Sequence, residues 1–164
     1  GLCFDTTAFS NEATNDLALS AASKLILQGA RVQDVISAMF KNRSIAALRV
    51  WGTALERLHF NKEYDCVITC LVRDDIENNQ VTDDEIGGLT NFLSLVTDTD
   101  ALYVLRETVD GGVNVSMRSS LRDVSQIAKQ NGGGGHKKAA GYTISNAKLK
   151  CVDGESWKVE KAVN

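Results

Sequence analysis

Residues 132–141 read Gly-Gly-Gly-Gly-His-Lys-Lys-Ala-Ala-Gly. Four successive glycines, Gly132, Gly133, Gly134 and Gly135, give a backbone that can turn its N–H groups inward and let an anion approach without side-chain obstruction. An imidazole, His136, and two ammonium groups, Lys137 and Lys138, follow directly. Peptide N–H groups, an imidazole and lysines close together make a receptor for phosphate. A flexible linker is the bland alternative. Linkers, however, usually mix Gly with Ser and run longer, and this run lies between a helical and a strand pattern.

A second cluster lies upstream, Val-Asn-Val-Ser-Met-Arg-Ser-Ser-Leu-Arg at 113–122. Val113, Val115 and Met117 alternate with Asn114, Ser116 and Arg118, the period of a half-buried strand. Arg118 falls on the polar face near the strand's end, beside Ser116, Ser119 and Ser120. A guanidinium fork among hydroxyls suits bidentate phosphate recognition. Arg118, Ser119, Gly132 to Gly135 and His136 are therefore the candidate ligand-binding residues.

Charge is distributed to match. The chain of 164 residues carries a net −3. Residues 117–138 nevertheless hold Arg118, Arg122, Lys129, Lys137 and Lys138 against the single acid Asp123. A protein that grips long nucleic acid is basic over a broad face. Positive charge gathered at one place favours a short or small phosphorylated ligand. No apolar run is long enough to span a membrane. Cys3, Cys66, Cys70 and Cys151 lack zinc spacing, and Cys66 and Cys70 read as small core residues on one strand face. Reduced cysteines point to the cytoplasm.

Several elements must position these residues. Residues 1–9 read as the end of a buried element running into a loop. Leu17, Ala21, Leu25 and Ile26 suit a helix ended by Gly29; Val32, Val35, Ile36 and Met39 suit a second. Ile45 to Leu58 gives a third, long enough to act as a strut. The period then changes: a strand at 64–72, a mostly helical stretch at 81–96 starting on the Thr82–Glu85 capping box, and a strand at 101–107. A turn at Asp110-Gly111-Gly112 leads to the strand carrying Arg118. A short helix at 123–129, a strand at 142–145 and a short terminal helix at 158–163 complete the chain. Asp98-Thr99-Asp100 has a metal-like spacing but reads as turn and capping chemistry.

With these pieces in order, the chain resembles the C-terminal part of a DHH-family phosphoesterase, of the bacterial nanoRNase and 3′-phosphoadenosine 5′-phosphate phosphatase type. Ser116-Met-Arg-Ser119, Asp123-Val-Ser-Gln-Ile-Ala128 and Gly132 through Gly141 follow the order and spacing of that family's DHH-associated domain. The opening Gly1-Leu-Cys-Phe-Asp5-Thr6-Thr7-Ala8-Phe9 is similar to the loop that closes the family's catalytic domain, with Phe4 in place of a threonine and Thr7 in place of a glycine.

The resemblance implies an α/β fold: a helical remnant of a DHH catalytic domain over 1–40, a linker helix over 41–62, and a DHH-associated substrate-binding domain over 63–164, with a mixed β-sheet flanked by helices. It implies Asp5 as a metal ligand, with Mn²⁺ in the intact parent. The family's Asp-His-His signature and its other metal-binding aspartates would precede Gly1, so this chain is expected to lack a complete catalytic centre and to be inactive alone. Its expected role is to hold the phosphate of a short oligonucleotide or of 3′-phosphoadenosine 5′-phosphate; a homodimer stays open. A part of a RecJ-like single-strand exonuclease or exopolyphosphatase, or a non-catalytic nucleic-acid binding module, is the alternative.

Overall fold

A computed structural model describes residues 1–6, 8–9, 13–40, 43–152 and 156–161. The chain divides into two compact units, Gly1–Ser44 and Ile45–Asn164.

The first unit is helical: α1 (Leu2–Asp5), α2 (Asp16–Leu27) and α3 (Val32–Phe40). Asn15 caps α2 by accepting from the Ala18 N–H at 3.0 Å. Gly29, at φ +96°, ends it as expected, because the left-handed residue lets the Ala30 N–H reach back to the Leu25 carbonyl. Two expectations change here. Residues 2–5 form a helical turn whose last member, Asp5, is exposed, rather than the end of a buried element. The apolar residues Leu17, Leu25 and Ile26 of α2 stay exposed, and Ala18 is its buried residue. Thr7 lies outside the described residues.

The second unit is built on α4 (Ile45–Glu56), β1 (His59–Asn61), β2 (Cys66–Leu71), α5 (Arg73–Glu77), α6 (Leu89–Val96), β3 (Ala101–Glu107), β4 (Gly112–Ser119), α7 (Val124–Gln130), β5 (Gly134–His136), β6 (Ala139–Ser145), β7 (Ala147–Cys151) and β8 (Trp157–Lys161). Six strands make one mixed sheet in the order β1-β2-β3-β4-β6-β5. Only the β2–β3 pair is parallel, and the chain between those strands carries α5 and α6. The strands expected at 64–72, 101–107 and 113–118 therefore share one sheet. β7 and β8 pair separately.

Each face of the sheet has its own apolar core. On one face, Leu71, Leu102 and Val104 pack under Val50, Trp51 and Ala54 of α4 and Leu89 and Leu93 of α6. The Thr69 hydroxyl donates to the Ala54 carbonyl at 2.5 Å and the Trp51 indole to the Ile86 carbonyl at 3.2 Å. The helix expected as a strut is thus part of this core. On the other face, Cys70, Val113, Val115, Met117 and Ala140 pack with Val124 and Ala128 of α7 and with Ala147 and Leu149 of β7.

Two further expectations are corrected. The Thr82–Glu85 box does form, each backbone N–H donating to the other's side chain, yet regular helix starts only at Leu89. Gly87 and Gly88 intervene, and Gly88 takes φ +83°, which breaks the helical run. The terminal segment is strand β8, because Trp157 and Val159 pack inward from alternate positions while Lys158 and Glu160 are exposed; residues 162–164 lie outside the described residues.

Burial decides the thiol chemistry. Removal from water pushes the Cys70 thiol up to about 12, and burial raises Cys66 as well. Cys151 is exposed. Alkylation at pH 8 followed by mass spectrometry should label Cys151 within minutes and spare Cys66 and Cys70 until denaturant is added. Equal labelling of all three in the native state would contradict the packing described above.

Candidate functional site

Residues paired directly across a sheet project to the same face. Arg118 of β4 pairs with Ala139 of β6, and Ala139 pairs with His136 of β5. Arg118 and His136 therefore stand on one face in one row, two strand spacings or about 9–10 Å apart at the backbone. A single methyl, that of Ala139, lies between them. The next row on this face is Ser116, Gly141 and Gly134. The floor between the arginine and the imidazole is thus almost free of side chains. The short helix α7 and the hairpin of β5 and β6 return the chain to the end of β4. Backbone bonds from Ser119 N–H to the Lys138 carbonyl and from Val124 N–H to the Lys137 carbonyl hold the hairpin there.

Beyond β3, this face is not covered by the apolar core. It opens into a cleft of about 220 Å³ lined by Arg106, Asn114, Ser116 and Arg118 from the sheet and by Gly87 to Asn91 at the start of α6. The start of α6 has no side-chain cap, and uncapped N–H groups with the helix dipole give this wall a positive character. Arg118 is half-buried. Its Nε and Nη2 donate to Asn91 Oδ1 at 3.0 and 2.8 Å, and its Nη1 to the Met117 carbonyl at 2.8 Å. Burial alone acts on this guanidinium and pulls its pKa below the ordinary value. All its partners are neutral. Arg57, another largely buried arginine of this unit, has a carboxylate, Asp75, in bidentate contact.

The remaining sequence-predicted residues divide. His136 is exposed on the edge strand, outside the cleft lining but on the same face. Gly134 has open space where a side chain would stand. Gly132 and Gly133 donate their N–H groups to the Lys129 and Ala128 carbonyls, closing α7. Those two groups are not available as an anion cradle, which corrects the expectation for them. Gly133 and Gly135 are instead required by close packing: a Cβ on Gly133 would lie 2.2 Å from the Gly141 carbonyl oxygen, and one on Gly135 2.6 Å from Ala140 Cα. Ser119 is also corrected. It alternates to the opposite face from Arg118, is buried, and its hydroxyl accepts from the Arg122 N–H at 2.7 Å. It shapes the turn after β4. Lys137 is exposed and Lys138 half-buried at the hairpin tip, and Lys138 Nζ donates to the Ser120 carbonyl.

Asp5 belongs to the first unit, on α1. Among the described residues no group of three or more His, Cys, Asp or Glu side chains is placed to hold a metal ion. Asp100 meets the end of β4, its carbonyl accepting from the Ser120 N–H at 3.0 Å. Asp5 alone among the described residues is too few ligands to hold Mn²⁺ without further groups. Among the described residues no helix is long and apolar enough to cross a membrane.

Asn91, Arg106 and the N-terminus of α6 were not legible as site components. Asn91 meets Arg118 from 27 positions away in sequence, and no local spacing encodes such a contact.

Comparison with known proteins adds the family. A family model described as the DHHA1 domain matches residues 63–156. No curated protein sequence matches the chain. Among solved structures, an exopolyphosphatase-related protein from Bacteroides fragilis is similar with a TM-score of 0.75 at 22% identity, over 87% of this chain and 42% of that one. The chain thus spans less than half of that relative's length, and the likeness shows the fold. A pGpG-specific phosphodiesterase from Vibrio cholerae aligns with a TM-score of 0.46 at 11% identity, over 61% of this chain and 33% of that one. That alignment is too weak to carry an argument.

Proposed function

This chain belongs to the DHHA1 domain family, and from that premise we propose that it is the substrate-binding portion of a DHH-type phosphoesterase, holding the phosphate of a short oligonucleotide or of 3′-phosphoadenosine 5′-phosphate. In this reading residues 1–40 are the end of the catalytic domain, 41–62 the connection that carries α4 and β1, and 63–164 the binding domain, and Asp5 would contribute to a metal site completed by further catalytic-domain residues. One observation carries the proposal: Arg118 is half-buried in a cleft, braced by Asn91, and has neutral partners only. A desolvated guanidinium held ready without a counter-charge is a receptor for an anion that arrives with the ligand.

The division of labour follows from the geometry. Asn91 fixes the direction of the guanidinium, so little side-chain entropy is lost when phosphate binds. Ala139, Gly141 and Gly134 form a flat floor that lets the ligand approach the sheet. His136 stands at the far edge of that floor, where its ring offers a second donor. The ligand would thereby be positioned for chemistry performed elsewhere, the contribution of orientation and charge neutralisation.

Charge-assisted hydrogen bonds contribute about 1.5–3 kcal/mol. Arg118→Ala should therefore weaken binding of 3′-phosphoadenosine 5′-phosphate and of short RNA by about tenfold or more, while any weak binding of unphosphorylated adenosine stays unchanged. Isothermal titration of the 164-residue chain measures both. Equal affinity of the variant and the parent chain for the phosphorylated ligands would refute the assignment.

A further inference from the structure

Resting on the phosphate-binding reading of Arg118, we propose that Arg106 is a second phosphate-binding residue in the same cleft and that it selects oligonucleotides over mononucleotides. Arg106 lies on β3 opposite Asn114 of β4. Asn114, Ser116 and Arg118 follow one another along the same face of β4, and all four residues line one cleft. The two arginines thus mark its two ends. Because Arg106 pairs with Asn114, the backbones of the two arginines are offset by four residues along the strand direction, about 13 Å at 3.2–3.4 Å per residue.

Both guanidiniums are braced from the segment between β2 and β3. Arg118 donates to Asn91, while Arg106 Nη1 lies 3.5 Å from the Asp83 carbonyl oxygen and 3.8 Å from its carboxylate. The carboxylate of Asp83 is also shared with Arg73 at 3.3 Å. Arg73 also pairs with Glu77 at 2.8 Å, and the Asp83 contact to Arg106 is the longest of these three, so a phosphate competes for Arg106 against a long, shared ion pair. Between the arginines the cleft lining carries no charged side chain: Val104 stands beside Ser116, the Ser116 hydroxyl donates to Asn114 Oδ1 at 3.0 Å, and Asn114 Nδ2 to the Thr143 hydroxyl at 3.3 Å.

The spacing says which ligand uses both ends. Three backbone bonds of a drawn-out polypeptide span about 3.3–3.6 Å. The six backbone bonds of one nucleotide therefore span about 7 Å when drawn out. About 13 Å corresponds to two such steps. Phosphates separated by two nucleotides can meet Arg118 and Arg106 together, whereas the 3′- and 5′-phosphates of a single nucleotide reach only one of them. The uncharged floor between, with the Ser116 hydroxyl and Asn114 amide beside Val104, suits the sugar of the intervening nucleotide.

The test is binding of a ladder of 5′-phosphorylated oligoadenylates, from one to five nucleotides, and of 3′-phosphoadenosine 5′-phosphate, to the full chain and to Arg106→Gln, Arg106→Lys and Arg118→Ala. Arg106 is partly exposed, and thermal unfolding checks that each variant is folded. Affinity should rise at three nucleotides. Arg106→Gln should remove that rise, costing about tenfold for the trinucleotide and longer with less than twofold for 3′-phosphoadenosine 5′-phosphate. Arg106→Lys should restore part of it. Arg118→Ala should weaken every ligand. If Arg118→Ala weakens binding but Arg106→Gln acts equally on all lengths or on none, the role of Arg106 is refuted and the phosphate site stands. If no phosphorylated ligand depends on Arg118, both readings fail.

Discussion

Gly133→Ala is expected to cost the second unit more than about 3 kcal/mol, at or beyond the upper end of ordinary overpacking, while Gly134→Ala one residue on should stay within about 0.5 kcal/mol. The difference comes from what each new methyl would meet. At Gly133 it would lie 2.2 Å from the Gly141 carbonyl oxygen and 2.5 Å from Tyr142 Cβ. Neither can yield, because Gly141 and Tyr142 belong to β6, which is paired with β4 along its whole length. At Gly134 the methyl would enter open space. Gly135→Ala should resemble Gly133→Ala, since it adds a φ of +134° to a contact of 2.6 Å with the Ala139 carbonyl oxygen. Thermal unfolding followed by circular dichroism should place the Gly133 and Gly135 variants about 10 °C or more below the parent chain. A Gly133→Ala protein that melts with the parent would show that the glycine run is not a packing requirement. Because Gly134 shares the Arg118 face, Gly134→Ala also separates folding from recognition: a stable protein with a methyl on the binding floor.

The same residues explain what could be read in advance. Alternation of Val113, Val115 and Met117 with Asn114, Ser116 and Arg118 located β4 and the polarity of its two faces, because a period of two is a local property of the chain. The helix after Asp123 is equally local, and the structure adds its cap, with the Asp123 carboxylate accepting from the Ser125 N–H at 3.1 Å. The glycine run was legible as a site where backbone comes close, but its partner was not. The N–H groups of Gly132 and Gly133 turn to α7, and the close approach is to β6 rather than to an anion. Ser119 follows Arg118 in sequence but not in space, because neighbours on a strand face opposite ways. The wall of the cleft escaped for a different reason. Asn91 and the α6 N-terminus reach Arg118 only through the crossover between β2 and β3, and no pattern along the chain reports that juxtaposition. The hairpin of β7 and β8 was missed because its strands are short and carry charge on the exposed positions, so that 158–163 reads equally as a helix.

Removing the carboxylate of Asp75 should be the most damaging single polar change in the second unit. Asp75 accepts from Arg57 Nη1 and Nη2 at 2.5 and 2.9 Å and from the Val72 N–H at 2.8 Å. Arg57 also donates to the Cys70 carbonyl at 3.3 Å and lies over the Trp157 ring, 4.5 Å from its centroid. One ion pair thereby ties the end of α4, β2, the start of α5 and β8. Both side chains are largely buried, at 20% and 14% exposure. Burial opposes the charge on Arg57, and Asp75 more than offsets it, so the guanidinium pKa lies above its ordinary value. Asp75→Ala leaves that cation desolvated and frees the Val72 N–H, and breaking a buried pair from one side costs about 3–5 kcal/mol. Because both groups keep some contact with water, a loss of about 3 kcal/mol is expected. Asp75→Asn keeps an acceptor for one donor and should lose less. Arg57→Met combined with Asp75→Ala should recover part of the loss, since the stranded charge is gone and a flexible apolar chain still covers Trp157. Urea unfolding of the three variants gives the coupling directly. If Arg57→Met on the Asp75→Ala background destabilises further, the cost lies in lost packing of Arg57 and not in its unpaired charge, and the pair is not the tie described here.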